Sequence, residues 1–185
     1  MTGCAALETR GGTLWLTGLP SAGKTTIGAA LEQLLIERGL QAYLLDGDDL
    51  REGLNADLGF DEADRSENVR RLGEVAILLT RLGHLSIVSA ISPYAASRNA
   101  VRQRHVSLGL SFLEVYVSTP LEVCESRDPK GMYARARSGE LGSFTGISAP
   151  YEEPEAPDLS LANEGSAGEA ALEALAAMEA AGLVS

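Results

Sequence analysis

Gly18-Leu19-Pro20-Ser21-Ala22-Gly23-Lys24-Thr25 decides how the rest of the chain is read. Its spacing, G-x-x-x-x-G-K-[ST], lets a glycine-rich turn close successive backbone N–H groups around a phosphate. The context agrees. Residues 13–17 run into the turn as a predicted buried strand, and 24–38 leave it as a predicted helix. Ile27, Leu31, Leu34 and Leu35 form the apolar face of that helix, and Gly39 lies just past its end. Its N-terminus adds a positive dipole end to the anion cradle. Lys24 supplies a compact charge for β- and γ-phosphates, and the Thr25 hydroxyl is placed to ligate Mg²⁺. Gly18, Ser21, Ala22, Gly23, Lys24, Thr25 and Thr26 are therefore the predicted ATP-binding residues. Switches, motors and metabolic kinases share such a loop, so it does not choose among them.

Apolar runs and helical patterns alternate outward from this loop, as in a parallel sheet covered by helices. A second strand over 41–45 ends in the acidic cluster Asp46-Gly47-Asp48-Asp49. A helix is predicted over 64–82, with Leu72, Val75, Ala76 and Leu79 on one face. Strand 85–91, helix 94–108 and strand 112–117 follow. The next helix has Thr119 as its expected N-cap, Pro120 at its first position and Glu122 closing a capping box. Over 128–157 the periodicity fades while Gly and Pro accumulate, which predicts a mobile segment outside the core. A short strand at Leu159–Leu161 and a helix starting at Ser166, with Glu169 three residues on, complete the pattern. The expectation is one α/β domain over residues 1–185 with the P-loop NTPase fold: a parallel sheet of about five strands flanked by helices.

Composition narrows the function classes. The 185 residues are 45% hydrophobic and 22% charged, with a formal net charge of −11. That length suits one compact domain, and the composition excludes a disordered chain. A sequence pI near 4.6 disfavours a broad nucleic-acid or anionic-membrane footprint, so neither partner is expected. The acid is uneven: nine Asp or Glu and no Lys or Arg lie after Ser138, whereas fifteen basic and seventeen acidic residues precede them. Thirteen of the basic residues are Arg, and the two lysines are Lys24 and Lys130. Cys4 and Cys124 are too few and too far apart for a disulfide framework or a zinc site. Residues 1–10 carry no secretory signal, and the best apolar stretch, 77–91, is broken by Arg81 and His84. A cytoplasmic protein is expected.

Further motifs are more specific than the loop. They are Asp46-Gly-Asp48-Asp49-Leu-Arg51-Glu-Gly-Leu-Asn55-Ala-Asp-Leu-Gly-Phe60, Asp64-Arg65-Ser-Glu-Asn68-Val-Arg70-Arg71 and Ile91-Ser92-Pro93-Tyr94. Pro120-Leu-Glu-Val-Cys124-Glu-Ser-Arg127-Asp128, Lys130-Gly131-Met-Tyr133, Phe144-Thr145-Gly146-Ile147 and Pro150-Tyr151-Glu152 continue the series. In order and spacing, from about Thr13 to Leu161, the chain resembles the adenylylsulfate kinase family. The resemblance implies transfer of the ATP γ-phosphoryl group to the 3′-hydroxyl of adenylyl sulfate, giving 3′-phosphoadenylyl sulfate, with Mg²⁺ as cofactor. It places Asp46 and Asp48 near the metal and the acceptor hydroxyl, with Asp48 orienting or deprotonating that hydroxyl. Together with Lys24 these are the expected catalytic residues.

By the same resemblance, Arg51, Arg65 and Asn68 hold the phosphosulfate, as guanidinium forks suit a multi-oxygen anion. Phe60 and Phe144 sandwich the acceptor adenine, and Ile91 and Ser92 line its site. Arg127 joins the ATP-binding set, while Lys130 opens a lid over about 128–157 and contacts the acceptor. Ser92 matches a position phosphorylated in some members, and the family tends to homodimerise. His84 and His105 match no motif and read as helix-end or surface residues; Cys124 reads as a buried helix thiol. Asp49, Ala95, Ser97 and Ala134 depart from the family pattern and remove positive charge around the site. They leave open a paralogue acting on another nucleoside or a natural-product intermediate. A non-enzymatic nucleotide-responsive module is the remaining alternative, disfavoured by the intact Lys24, Thr25, Asp46 and Asp48.

Overall fold

The computed structural model describes residues 11–162 and 165–184, so Cys4 and the rest of residues 1–10 lie outside it. Its centre is a five-stranded sheet in the order β2-β3-β1-β4-β5, with every neighbouring pair parallel. The strands are β1 (Gly12–Thr17), β2 (Ala42–Asp46), β3 (Leu85–Ser89), β4 (Ser111–Val117) and β5 (Leu159–Leu161). The helices are α1 (Lys24–Glu37), α2 (Gly47–Arg51), α3 (Glu62–Arg81), α4 (Ala95–Ser107), α5 (Leu121–Arg127), α6 (Met132–Arg137) and α7 (Ala167–Ala180).

Strand periodicity divides the core. Alternate side chains point to opposite faces, so Leu14 and Leu16 enter one cluster and Trp15 the other. The first cluster packs β1, β3 and β4 against α1 and α7, using Ile27, Leu31, Leu35, Ala171, Ala174, Leu175 and Met178. The second packs Trp15, Val88 and Phe112 against α3 and α4 through Val69, Leu72, Ala76 and Val101. Both faces of the sheet are covered, which is why its strands read as continuous apolar runs.

The same alternation sends polar residues to the α3–α4 face. Glu114 of β4 is 6% exposed and meets Arg98 of α4, whose Nε donates to Glu114 Oε1 at 2.7 Å. Thr13 of β1 meets Thr80 of α3 at 3.1 Å and His105 of α4 at 3.0 Å. His105 lies in the last turn of α4, as its helix-end reading expects, but it is fully buried, which corrects the surface reading. Its Nδ1 lies 2.9 Å from Val101 O, and its ring packs 4.9 Å from Phe112. Burial lowers its pKa below the ordinary 6.5. Below pH 6.5 the unfolded chain therefore gains a proton that the folded protein resists, and stability declines as pH falls. Denaturant titrations at pH 7.5 and 5.5 should show this loss, with a limiting slope of about 1.4 kcal/mol per pH unit for one group. His105→Gln should remove that component.

Other boundaries also move. β3 ends at Ser89, before Ile91, and Ser92 follows with a φ of +40°. Thr119 and Glu122 form no capping box: Pro120 is the N-cap of α5, and Thr119 Oγ1 instead donates to Ala22 O at 2.9 Å. The expected box at Ser166 and Glu169 is present at the start of α7. The aperiodic stretch 128–157 contains α6, and Tyr133, Ala136 and Phe144 from it are buried in the first core cluster. Its expected exclusion from the core is therefore corrected. Three separated side chains are too few to create a helical period.

Candidate active site

The phosphate loop leaves the C-terminal end of β1, and its geometry explains its glycines. Gly18 has φ +153°, and a Cβ there would stand 2.6 Å from Val117 O of the neighbouring strand. Gly23 is the N-cap of α1 at φ +101°, in the left-handed region. Ser21 also has a positive φ of +59°, so the loop keeps a shape most residues avoid. Lys24 is the first residue of α1 and is 7% exposed. Its Nζ donates to Gly18 O at 3.0 Å and Leu19 O at 2.7 Å. Burial lowers its pKa to about 8, opposed in part by Cys124, Asp48 and Asp46. The ammonium is a partly desolvated cation at the mouth of an N–H cradle.

The parallel register brings the second chemical group alongside. Asp46 ends β2 and pairs across the sheet with Ser89, the last residue of β3. Thr25 Oγ1 donates to Asp46 Oδ2 at 2.6 Å and lies 3.0 Å from Ser89 Oγ. Three hard oxygen donors thus converge beside the phosphate loop. Mg²⁺ is commonly held by one or two protein oxygens together with phosphate oxygens and water, so this donor set fits it. Among the described residues, no group of three or more His, Cys, Asp or Glu forms an all-protein cage. Ser89 was missed by sequence reasoning because its place beside Asp46 is a product of register.

Asp48 lies one residue into α2, and its N–H donates to Asp46 Oδ1 at 2.8 Å. The sequence read this cluster as the end of a strand; Asp46 also caps a short helix that turns Asp48 toward solvent. Lys130 reaches across from the segment after α5, its Nζ 2.7 Å from Asp48 Oδ2. Asp48 raises the Lys130 pKa, although both side chains are exposed.

Arg51, Arg65 and Asn68 meet at the start of α3. Arg51 Nη1 donates to Leu58 O at 3.2 Å and Gly59 O at 3.0 Å, and its guanidinium lies 4.4 Å over the exposed Phe60 ring. Arg65 Nε donates to Phe60 O at 2.7 Å, Nη2 to Ser143 O at 2.8 Å, and Nη1 to Thr145 Oγ1. Arg65 therefore ties together the two loops that carry Phe60 and Phe144. The rings differ in setting: Phe60 is 60% exposed, while Phe144 is buried with its ring 4.9 Å from that of Tyr133, edge to face. Burial lowers both guanidinium pKa values, and Arg65 lowers that of Arg51 further, so two cations share one neighbourhood. By contrast, Arg70 and Arg71 pair with Glu67, and Arg71 also with Asp57.

The wall of the cleft follows β3. Thr17 Oγ1 donates to Ile91 O at 2.8 Å and lies 3.0 Å from the Tyr151 hydroxyl. Ser92 is buried, with Trp15 Nε1 donating to its Oγ at 3.0 Å. Arg98 holds this wall to the later part of the aperiodic segment: Nη1 donates to Ser92 O and Nη2 to Glu152 O, both at 2.7 Å. Arg127 Nη1 donates to Ala22 O at 3.4 Å, and the Tyr133 hydroxyl to Pro20 O at 2.9 Å. Thr26 is exposed in the first turn of α1. Cys124 is buried as expected, and burial raises its pKa.

Three of the residues that depart from the family pattern make hydrogen bonds around the site. Ala95 N donates to Glu152 Oε2, Ala134 N to Asp128 Oδ2, and Ser97 Oγ to Ser66 Oγ. A groove of about 560 Å³ between α3 and α4, lined by residues including Arg70, Glu74, Ala100 and Arg104, holds none of the candidate residues. Converging polar groups at the C-terminal edge of the sheet, where open α/β sheets bind ligands, mark the site instead. Arg98, Tyr133, Tyr151 and Glu152 were missed as wall-formers because their contacts span 54 to 134 positions of chain.

Residues 10–162 match the model of the family described as adenylylsulphate kinase. The chain is 56% identical over 151 residues to the adenylyl-sulfate kinase of Saccharomyces cerevisiae, covering 82% of this chain and 75% of that protein. It is 52% identical over 170 residues to the bifunctional enzyme CysN/CysC of Mycobacterium tuberculosis, where 92% of this chain spans 28% of that protein's length. Among solved structures it resembles the Mycobacterium tuberculosis APS kinase CysC in complex with AMPPNP and APS. The TM-score is 0.90 at 52% identity, covering 92% of this chain and 98% of that one.

Proposed function

Because the chain belongs to the adenylylsulphate kinase family, we propose that it transfers the γ-phosphoryl group of ATP to the 3′-hydroxyl of adenylyl sulfate. One observation supports the reading: the Lys24 cradle and the Thr25–Asp46 oxygens lie close to Asp48, and Asp48 in turn lies near the Arg51 guanidinium, which shares its neighbourhood with that of Arg65. A nucleoside triphosphate, a hard cation and a second anionic nucleotide are the ligands that such groups complement.

Backbone N–H groups at the start of α1 bind the ATP phosphates, and Lys24 exchanges the Gly18 and Leu19 carbonyls for β- and γ-oxygens. Thr25 and Asp46 would hold Mg²⁺, which would supply positive charge beside the ATP phosphates. Arg51, Arg65 and Asn68 grip the phosphosulfate, and the Phe60 and Phe144 rings contact the acceptor adenine. Asp48 orients the 3′-hydroxyl and accepts its proton as that oxygen bonds to the γ-phosphorus and the bond to ADP breaks. The segment 128–157 serves as a lid, touching the loop through Tyr133 and the acidic pair through Lys130. A homodimer is the assembly the family resemblance supports, and sedimentation tests it. No described helix is long and apolar enough to cross a membrane.

The decisive assay supplies purified protein with ATP, Mg²⁺ and adenylyl sulfate, or a panel of other nucleosides, and follows ADP and the 3′-phosphorylated product. Turnover with adenylyl sulfate is expected; turnover only with another acceptor overturns the reading. Asp48→Asn should lower kcat about 10²-fold, the scale of losing one positioned general base.

A further inference from the structure

Asn55 lies in the turn after α2 and is fully buried, an unusual place for a primary amide. Its backbone is fixed on both sides: Asn55 N donates to Leu50 O at 2.8 Å, and Leu58 N donates to Asn55 O at 3.1 Å. Its side-chain Nδ2 donates to Asn68 Oδ1 at 2.9 Å. Asn55 Oδ1 is buried with no hydrogen-bond partner. Asn68 lies on α3, three residues after Arg65 and hence on the same helix face.

The two ends of an amide have nearly the same shape and opposite polarity: one oxygen accepts, and one nitrogen donates twice. Asn68 Oδ1 is already occupied by Asn55. Reversing the Asn55 amide would bury two unpaired N–H groups where one unpaired oxygen now lies, and buried orphan donors are the rarer and costlier case. The arrangement therefore has a preferred sense. We propose that Asn55 is a positioning residue that sets the polarity of the Asn68 amide, so that Nδ2 faces the anionic group of the acceptor. Nδ2 then joins the donors of Arg51 and Arg65; a reversed amide would present an acceptor oxygen to the same anion. This assignment rests on the function proposed above and deepens its acceptor subsite.

Asn55→Leu keeps bulk and removes the donor, and Asn55→Ala removes it without adding bulk. Each should reduce kcat/KM for adenylyl sulfate about tenfold, the scale of one hydrogen bond to a charged group. KM for ATP and kcat at saturating acceptor should change less than twofold. In an Asn68→Ala background the same Asn55 substitution should cost less than twofold, because the amide it orients is gone. Equal losses in both backgrounds, or for both substrates, would mean a general packing role and overturn the inference; so would wild-type kinetics. Asn55→Ser, which can still donate through its hydroxyl, should recover part of the loss, and no recovery at all would count against the polarity argument.

The wild-type protein gives a reading independent of whether the variants fold. In ¹⁵N-labelled protein, the Asn68 side-chain NH₂ signals should shift on titration with adenylyl sulfate, and unshifted signals would overturn the inference. Failure of the unsubstituted protein to bind or turn over adenylyl sulfate refutes the proposed function. Normal wild-type turnover with indifferent Asn55 variants refutes only the role of Asn55.

Discussion

Replacing Lys24 with alanine is expected to lower phosphoryl transfer by about 10³-fold or more, the scale for removing a preorganised charge from a developing oxyanion. The geometry makes the loss specific. Lys24 is buried at the first turn of α1 with its Nζ on two loop carbonyls, so its charge is held at the mouth of the phosphate loop. Stopped assays on the variant, with circular dichroism to verify folding, check the effect. Near-normal kcat would contradict the role. A pH dependence accompanies it. Burial holds the free lysine at about pH 8, so kcat/KM for ATP should fall as pH rises through that value and the ammonium is lost. At saturating ATP the bound phosphates favour the charged form, so kcat should persist to higher pH.

The second large effect concerns stability. Arg98→Met should destabilise the fold by about 3–5 kcal/mol, because the buried Glu114 carboxylate loses its closest cation. Arg102 contacts Glu114 only at 3.4 Å and is held more closely by Asp158 at 2.7 Å, so it replaces little of the lost bond. The double substitution Arg98→Met with Glu114→Met removes both charges. It should recover much of the loss, as apolar replacements of buried pairs often do. Urea unfolding of the three proteins measures the difference. A double variant no more stable than Arg98→Met would show that the Ser92 and Glu152 carbonyl contacts dominate.

Much of this architecture was legible in sequence because its signals are local. Strand β1, the loop and α1 follow one another without interruption, and the start of α7 is written in Ser166 and Glu169. What failed depended on partners far along the chain. Thr119 carries the chemistry of a helix cap, but its hydroxyl is used by Ala22, close in space and remote in sequence. His105 has no motif, and only strand parity on β1 places Thr13 against it. Within the candidate site, the family resemblance supplied residue types, and the structure adds how they are held. Arg65, for example, spends three nitrogens joining the loops that bear Phe60 and Phe144. Such a clasp leaves no trace in spacing, since its ends are about 80 residues apart.

Helix α7 has a consequence for anyone shortening the chain. Every residue assigned here to phosphate, metal or acceptor lies before position 162, which invites a cut at that point. Ala170, Ala171, Ala174, Leu175, Met178, Leu183 and Val184 nevertheless belong to the same buried cluster as Leu14 and Leu16 on β1. Removing them would expose the flank of α1, the helix whose first turn presents Lys24. Truncation would thus loosen the phosphate cradle from behind while deleting none of its ligands.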